Sequence, residues 1–181
     1  MKGDFVLIID EHFTNLTTNQ FPFIIFEQSK LYVKMELLNL PSYDHKLKKI
    51  NDKLCIWDII RKKYIVLTPE EWVRQHFVHH LINDHNYPKS LIKLESSLSY
   101  NQLMKRTDIQ VFDREGCLFM IIECKAPYIK LSETVFAQVA QYNKILQAKY
   151  LTIANGMIFH CCKINWESQQ MDFMETLPIF L

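Results

Sequence analysis

Glycine is nearly missing from this chain: Gly3, Gly116 and Gly156 are the only three in 181 residues. A phosphate-cradling Walker loop needs two glycines ahead of its lysine, and a dinucleotide fingerprint needs three close together. Neither can be assembled here, which excludes motors and nucleotide-binding sites of those types. Long hydrophobic runs are missing as well, so no segment has the ~20 apolar residues that span a bilayer. The N-terminus lacks the small-residue cleavage pattern of a signal peptide. No membrane partner is expected, and the expected location is the cytoplasm. Charge of one sign is also lacking, with 21 Lys and Arg against 20 Asp and Glu and a formal net charge of +1. Nucleic-acid binding would therefore need a local concentration of basic residues. The cysteines Cys55, Cys117, Cys124, Cys161 and Cys162 are odd in number and form no Cys-x-x-Cys, so all five read as reduced thiols.

What is present is a globular composition of single-domain length, with 49% hydrophobic residues. Residues 1–34 form an N-terminal extension with two apolar clusters, Phe5 to Ile9 and Phe21 to Phe26. Two readings stay open: an added β-hairpin, or a misassigned start with Met35 as the natural first residue. Loss of folding on truncation to Met35 would reject the second. Short strands are expected at Lys53 to Trp57 and Tyr64 to Leu67, around the basic turn Arg61-Lys62-Lys63. Thr68 reads as a helix N-cap followed by Pro69 at the first helical position. Glu71, three residues on, would complete a capping box. The helix runs to about Asp84 with Val73, Phe77, Val78, Leu81 and Ile82 inward. Strands follow at Leu91 to Leu98, Arg106 to Phe112 and Leu118 to Cys124. A second helix spans about Ser132 to Gln147, with Val135, Phe136, Val139, Tyr142 and Leu146 inward. Tyr150 to Ala154 and Met157 to Ile164 make a hairpin through Asn155-Gly156, and Met171 to Met174 adds an edge strand.

The stretch Arg106 to Lys125 carries the chemistry. Asp108, Glu123 and Lys125 sit in otherwise strand-like runs, where such residues are seldom found without a reason. Alternation places Phe119, Ile121, Glu123 and Lys125 on one face. A turn from Asp113 to Gly116 that pairs Phe112 with Cys117 sets Asp108 opposite Ile121, on the same face and diagonal to Glu123. A one-residue slip would separate the groups. Two carboxylates and an ammonium at one point can hold a divalent metal and a water beside a phosphate.

The order helix, three strands, helix, strand, with Asp on the second strand and Glu-x-Lys on the third, resembles the PD-(D/E)xK nuclease superfamily. More closely, the chain is similar to the N-terminal domain of type I restriction enzyme R subunits, in a short stand-alone form. The matching pieces are Thr68-Pro69-Glu70-Glu71-Trp72-Val73-Arg74-Gln75, Tyr87-Pro88, Lys105-Arg106-Thr107-Asp108, Ile121-Ile122-Glu123-Cys124-Lys125-Ala126-Pro127 and Gln138 to Tyr142. The resemblance covers roughly residues 35 to 175. It implies an α/β, restriction-endonuclease-like fold over residues 35–181, with a mixed central sheet flanked by helices.

It also implies a Mg²⁺ (or Mn²⁺) dependent endodeoxyribonuclease. Asp108, Glu123 and the Cys124 backbone carbonyl would be metal ligands, and hard oxygen donors of this kind suit Mg²⁺. Lys125 would orient or help deprotonate the attacking water and stabilise the developing charge. Gln138 and Tyr142 match a glutamine-plus-tyrosine motif that positions a phosphate or water. Glu70, narrowly ahead of Glu71, would be the first helix's acidic residue. Lys105 and Arg106, beside Asp108, would touch DNA together with Tyr142. Motor or specificity subunits of a restriction system are the implied partners. Thr107 stands where the motif name has proline, and no helicase portion of an R subunit is expected here, which would remove ATP-driven translocation and leave cleavage dependent on simple encounter or on a partner.

The alternative is a non-catalytic DNA-binding or assembly module that keeps the nuclease fold. Glu95 is expected to pair with Arg106. His76, His79 and His80 read as a solvated helix face rather than a zinc site. The basic runs Lys46-Leu47-Lys48-Lys49 and Arg61-Lys62-Lys63 read as solvated too, although they could touch phosphates.

Overall fold

A computed structural model describes the backbone of residues 7–9, 16–17, 23–27, 30–100 and 103–180, and the side chains of residues 35–95 and 107–180. Along the chain lie β1 (Leu7–Ile9), β2 (Leu16–Thr17), β3 (Phe23–Glu27), β4 (Lys30–Lys34), β5 (Lys46–Ile50), β6 (Lys53–Asp58) and β7 (Lys63–Val66). Next come α1 (Pro69–Asn83), β8 (Ile92–Tyr100), β9 (Leu103–Phe112) and β10 (Leu118–Cys124). After α2 (Glu133–Leu146), the strands β11 (Tyr150–Ala154), β12 (Phe159–Asn165) and β13 (Gln170–Met174) complete the order.

The central sheet is six-stranded, in the order β13-β12-β11-β10-β9-β8. It is mixed, because α2 carries the chain from β10 to β11 and makes that pair parallel while the other neighbours are antiparallel. A parallel pair needs such a crossover, and a helix is the usual one. The two faces of the sheet bury different sets. Met120, Ile122, Cys124, Ile109 and Val111 join the core around α1. Ile121, Leu151, Ile153, Cys162 and Ile164 pack with α2. Adjacent Cys161 and Cys162 thus enter opposite cores, as alternation requires. All five cysteines are free thiols.

The sequence reading gave a hairpin ahead of the core, and β3 and β4 form one, with β1 paired to the other edge of β4. It missed β5 and the sheet that β5 helps to build. That sheet has the order β2-β5-β6-β7, and its inward residues Leu47, Leu54 and Ile56 belong to the α1 core. The strand was hidden because three of its five residues are lysines.

Covered from both sides, α1 buries every residue from Glu71 to Val78. This corrects the solvated histidine face. His76 is buried against Trp72 and Tyr43, and the His79 ring stacks on Tyr43 at 3.7 Å between centroids. The helix start follows expectation in part. Thr68 is extended and its hydroxyl accepts the Glu71 N–H at 3.0 Å, with Pro69 opening the helix. The capping box is not completed, because the Glu71 carboxylate turns to Arg61, Arg74 and Gln75. For α2 the cap is Ser132, and Gln147 ends the helix in the left-handed region.

Register corrects a second point. Leu118 pairs with Phe112, and a bulge at Phe119 then shifts the ladder so that Met120 pairs with Val111 and Ile122 with Ile109. One step further, Asp108 falls level with Glu123 rather than with Ile121. Each change moves the register by one residue, so the two together restore the original parity. The bulge also turns Phe119 away from Ile121, to pack with Tyr87 and Phe180 on the α1 side.

Candidate active site

Asp108 lies where the ladder between β8 and β9 is interrupted. Pairing runs through Leu94–Ile109 and resumes at Ser96–Thr107, and the intervening Glu95 has φ +46°. A non-glycine residue in left-handed geometry inside a strand is strained, and such strain gathers at sites of function. Arg74 Nη2 donates to Asp108 Oδ1 at 2.6 Å, and the Cys124 N–H donates to Asp108 Oδ2 at 2.7 Å. The second bond ties the end of β10 to β9. Beyond it, the Lys125 N–H bonds the Ala154 carbonyl, and Lys125 Nζ lies 2.6 Å from Glu123 Oε1.

From α1, Glu70 reaches Arg74 at 3.2 Å and stands 43% exposed, whereas Glu71 is buried. The two glutamates therefore part company. Burial, and after it the negative charge of Asp108, raises the Glu70 carboxyl above its ordinary value. The same two causes, in the same order, raise Glu123. Burial presses Lys125 down, but its bond to Glu123 and the surrounding carboxylates outweigh this and hold its proton more tightly. Asp108, Glu123, Lys125 and Glu70 thus act on one another as a single electrostatic group.

Glu71 belongs to a second layer, together with residues to which the sequence reading gave no role. Arg61 pairs with Asp58, with Glu71 at 2.8 Å and with Glu95 at 2.6 Å. Arg74 pairs with Glu71 and reaches Glu95 at 3.5 Å. Gln75 donates to both Asp58 and Glu71. Glu95 pairs with Arg61 and Arg74; its expected partner Arg106 has its side chain outside the described residues. Part of this was legible, since Glu70/Arg74 and Glu71/Gln75 are i,i+4 pairs and Glu71/Arg74 and Asp58/Arg61 are i,i+3 pairs. Taken whole, the assembly sets Asp58, Glu70, Glu71, Glu95, Asp108 and Glu123 against Arg61, Arg74 and Lys125. Among the described residues, carboxylates exceed cations.

Gln138 Nε2 donates to Tyr142 Oη at 3.2 Å on the exposed side of α2. Lys105 and Arg106 lie on β9 with side chains outside the described residues. An apolar groove of about 470 Å³ between α2 and the β12–β13 edge, lined by Phe136, Ala140, Met171 and Phe173, holds none of the carboxylates.

The donor set is hard oxygen in negative excess, which fits Mg²⁺ or Mn²⁺ in chemistry. Its arrangement is that of a network of ion pairs and hydrogen bonds. Both Asp108 oxygens already accept hydrogen bonds, Glu123 holds Lys125, and among the described residues no three His, Cys, Asp or Glu side chains are grouped to hold a metal ion. A cation bound here would share these carboxylates with Arg74, the Cys124 N–H and Lys125.

A mixed sheet between two helices, with a carboxylate–lysine group at the ends of its central strands, defines an α/β protein with a clustered charged centre. The family is shown by sequence: the model of the type I restriction enzyme R protein N terminus matches residues 69–178, more than half of the chain, and the chain belongs to that family. Among solved structures, the chain is similar to a fragment described as the HsdR subunit of a type I restriction enzyme from Vibrio vulnificus YJ016. The two are 17% identical with a TM-score of 0.33, and the match covers 49% of this chain and 16% of that one. Comparison with curated proteins finds no match. Among the described residues, no helix is long and apolar enough to cross a membrane.

Proposed function

We propose that this chain is a Mg²⁺-dependent endodeoxyribonuclease module of restriction type, with the PD-(D/E)xK arrangement Asp108, Glu123 and Lys125. The observation that carries the reading is the coupling of these three groups and Glu70 at one point, in a chain of the R N-terminal family. Asp108 and Glu123, with the Cys124 carbonyl, would hold the cation, and Glu70 would complete the acidic wall. Once bound, the cation supplies charge neutralisation for the phosphate and acidifies water. Lys125, its proton held by Glu123, would stabilise the charge that develops on the phosphate rather than accept a proton. Gln138 and Tyr142 would orient the DNA backbone from α2. Other subunits of the restriction system would bring DNA and supply translocation.

A plasmid-nicking assay in Mg²⁺ and in Mn²⁺ tests this. The expected result is metal-dependent nicking that Lys125→Ala and Asp108→Ala abolish while DNA affinity is kept. No nicking at any metal concentration would sink the proposal. One observation favours a second reading, a non-catalytic DNA-binding or assembly module: both Asp108 oxygens already accept hydrogen bonds, from Arg74 and the Cys124 N–H. That module would bind DNA with salt-dependent affinity and never cut it.

A further inference from the structure

The two basic runs that the sequence reading left as solvated, Lys46 to Lys49 and Arg61 to Lys63, come together on the four-stranded sheet. Residues 46–66 hold seven cationic side chains against Asp52 and Asp58, in a chain whose net charge is only +1. Inward positions Leu47, Leu54 and Ile56 are core. Alternation therefore assigns Lys46, Lys48, Lys53, Trp57, Tyr64 and Val66 to the opposite face.

Cross-strand contacts agree. Trp57 pairs with Tyr64, their rings edge to face at 5.2 Å. Lys48 lies over the Tyr64 ring, 5.9 Å from its centre. The three lysines are exposed, and Val66 is 45% exposed. Cys55, between Lys48 and Val66 on this face, is buried, but neither core cluster of described residues includes a side chain from the face. Both acidic residues of the segment are engaged elsewhere: Asp58 is buried beneath Arg61 and Gln75, and Asp52 pairs with Lys49.

The sheet also abuts the candidate centre. Arg61, in the β6–β7 turn, spans from Asp58 to Glu71 and Glu95, and exposed Lys62 and Lys63 follow it. The basic segment thus reaches the acidic cluster through the β6–β7 turn. Lysines around a pair of half-buried aromatic rings suit a sugar–phosphate backbone, with the cations on phosphates and the rings against sugar or base.

We infer that the outer face of β5, β6 and β7 is a docking surface for the DNA backbone, separate from the metal ligands and leading to them. This rests on the proposed function only for the identity of the nucleic acid, because the contact needs no metal and no cleavage.

The test is fluorescence anisotropy of a labelled DNA duplex and a labelled single strand, in EDTA, across a salt series. The full chain is compared with Lys46→Glu/Lys48→Glu/Lys53→Glu. These lysines are exposed, so folding should be unaffected; circular dichroism checks it, and a Lys→Gln triple serves if reversal disturbs the sheet. The expected loss is on the order of tenfold or more, with the salt slope flatter by about 0.9 for each phosphate contact removed. Lys130→Glu/Lys144→Glu, exposed on the far side of the chain's core strands, should bind as wild type. Wild-type affinity and slope in the triple variant would overturn the inference while leaving the nuclease reading intact. Loss of binding in the triple together with a wild-type protein that never nicks would uphold the docking face and remove the nuclease. No salt-dependent DNA binding by the wild type would overturn both.

Discussion

Arg74 decides how the acidic centre stands at rest. It is 6% exposed, holds Asp108 at 2.6 Å, and keeps Glu70, Glu71 and Glu95 as further acceptors. A cation seeking Asp108 must compete with a fixed positive charge at contact distance. Arg74→Gln should therefore tighten Mn²⁺ binding by about tenfold in titration calorimetry, since the opposing charge is gone. Arg74→Lys, which keeps the charge, should stay near wild type. Binding no tighter in Arg74→Gln than in wild type would refute the competition. Breaking the buried pair should also cost about 3 kcal/mol of stability. Gly156 makes a separate case. Its φ is +80°, and an added Cβ would lie 2.7 Å from Leu38 Cδ2. Gly156→Ala should lower stability by about 1–3 kcal/mol in urea denaturation. An unchanged midpoint would mean that Leu38 yields freely.

At the scale of elements, α1 links the two sheets, and its weak points are its cap and its buried histidines. Thr68→Ala removes the acceptor for the Glu71 N–H and should cost about 1 kcal/mol, read as a lower thermal midpoint. Burial holds His76 down to about 3 and His79 to about 4, against 6.5 for the free side chain. The unfolded chain therefore takes up these protons near pH 6.5 while the folded chain does not. Below pH 6.5 the unfolded state binds more protons, so stability falls as pH drops from 6.5 toward 4. Glu70 and Glu123, raised rather than lowered, act in the opposite sense just above their ordinary value. A comparison of variants isolates the histidine. His76→Leu should flatten the pH slope of stability between 6 and 5 by about 1.4 kcal/mol per pH unit. An equal slope in both proteins would show that His76 protonates in the folded state.

The whole molecule separates charge that its composition averages away. A net charge of +1 conceals a basic outer sheet and an acidic centre, joined through Arg61. Added salt should therefore weaken DNA binding and leave the buried Arg74–Asp108 contact largely unscreened. A stability that moves little between low and moderate salt, while DNA affinity falls steeply, is the expected pattern in parallel denaturation and anisotropy series.

The sequence by itself determined the elements and the central grouping. Caps at Thr68 and Ser132, the continuous apolar run Leu118 to Ile122, and the Asn155-Gly156 turn are local signals with local causes. Asp108, Glu123, Lys125 and Glu70 stood out because charged groups in or beside buried elements are costly. Tertiary structure decided the partners. Arg61 and Glu95 meet across 34 positions of sequence, as do Arg74 and Asp108, and no local pattern encodes either contact. The bulge at Phe119 set a register that the turn alone misjudged, and parity rescued the shared face. Strand β5 and the buried histidines escaped notice for one reason: polar side chains read as solvated until a second sheet is known to cover the helix.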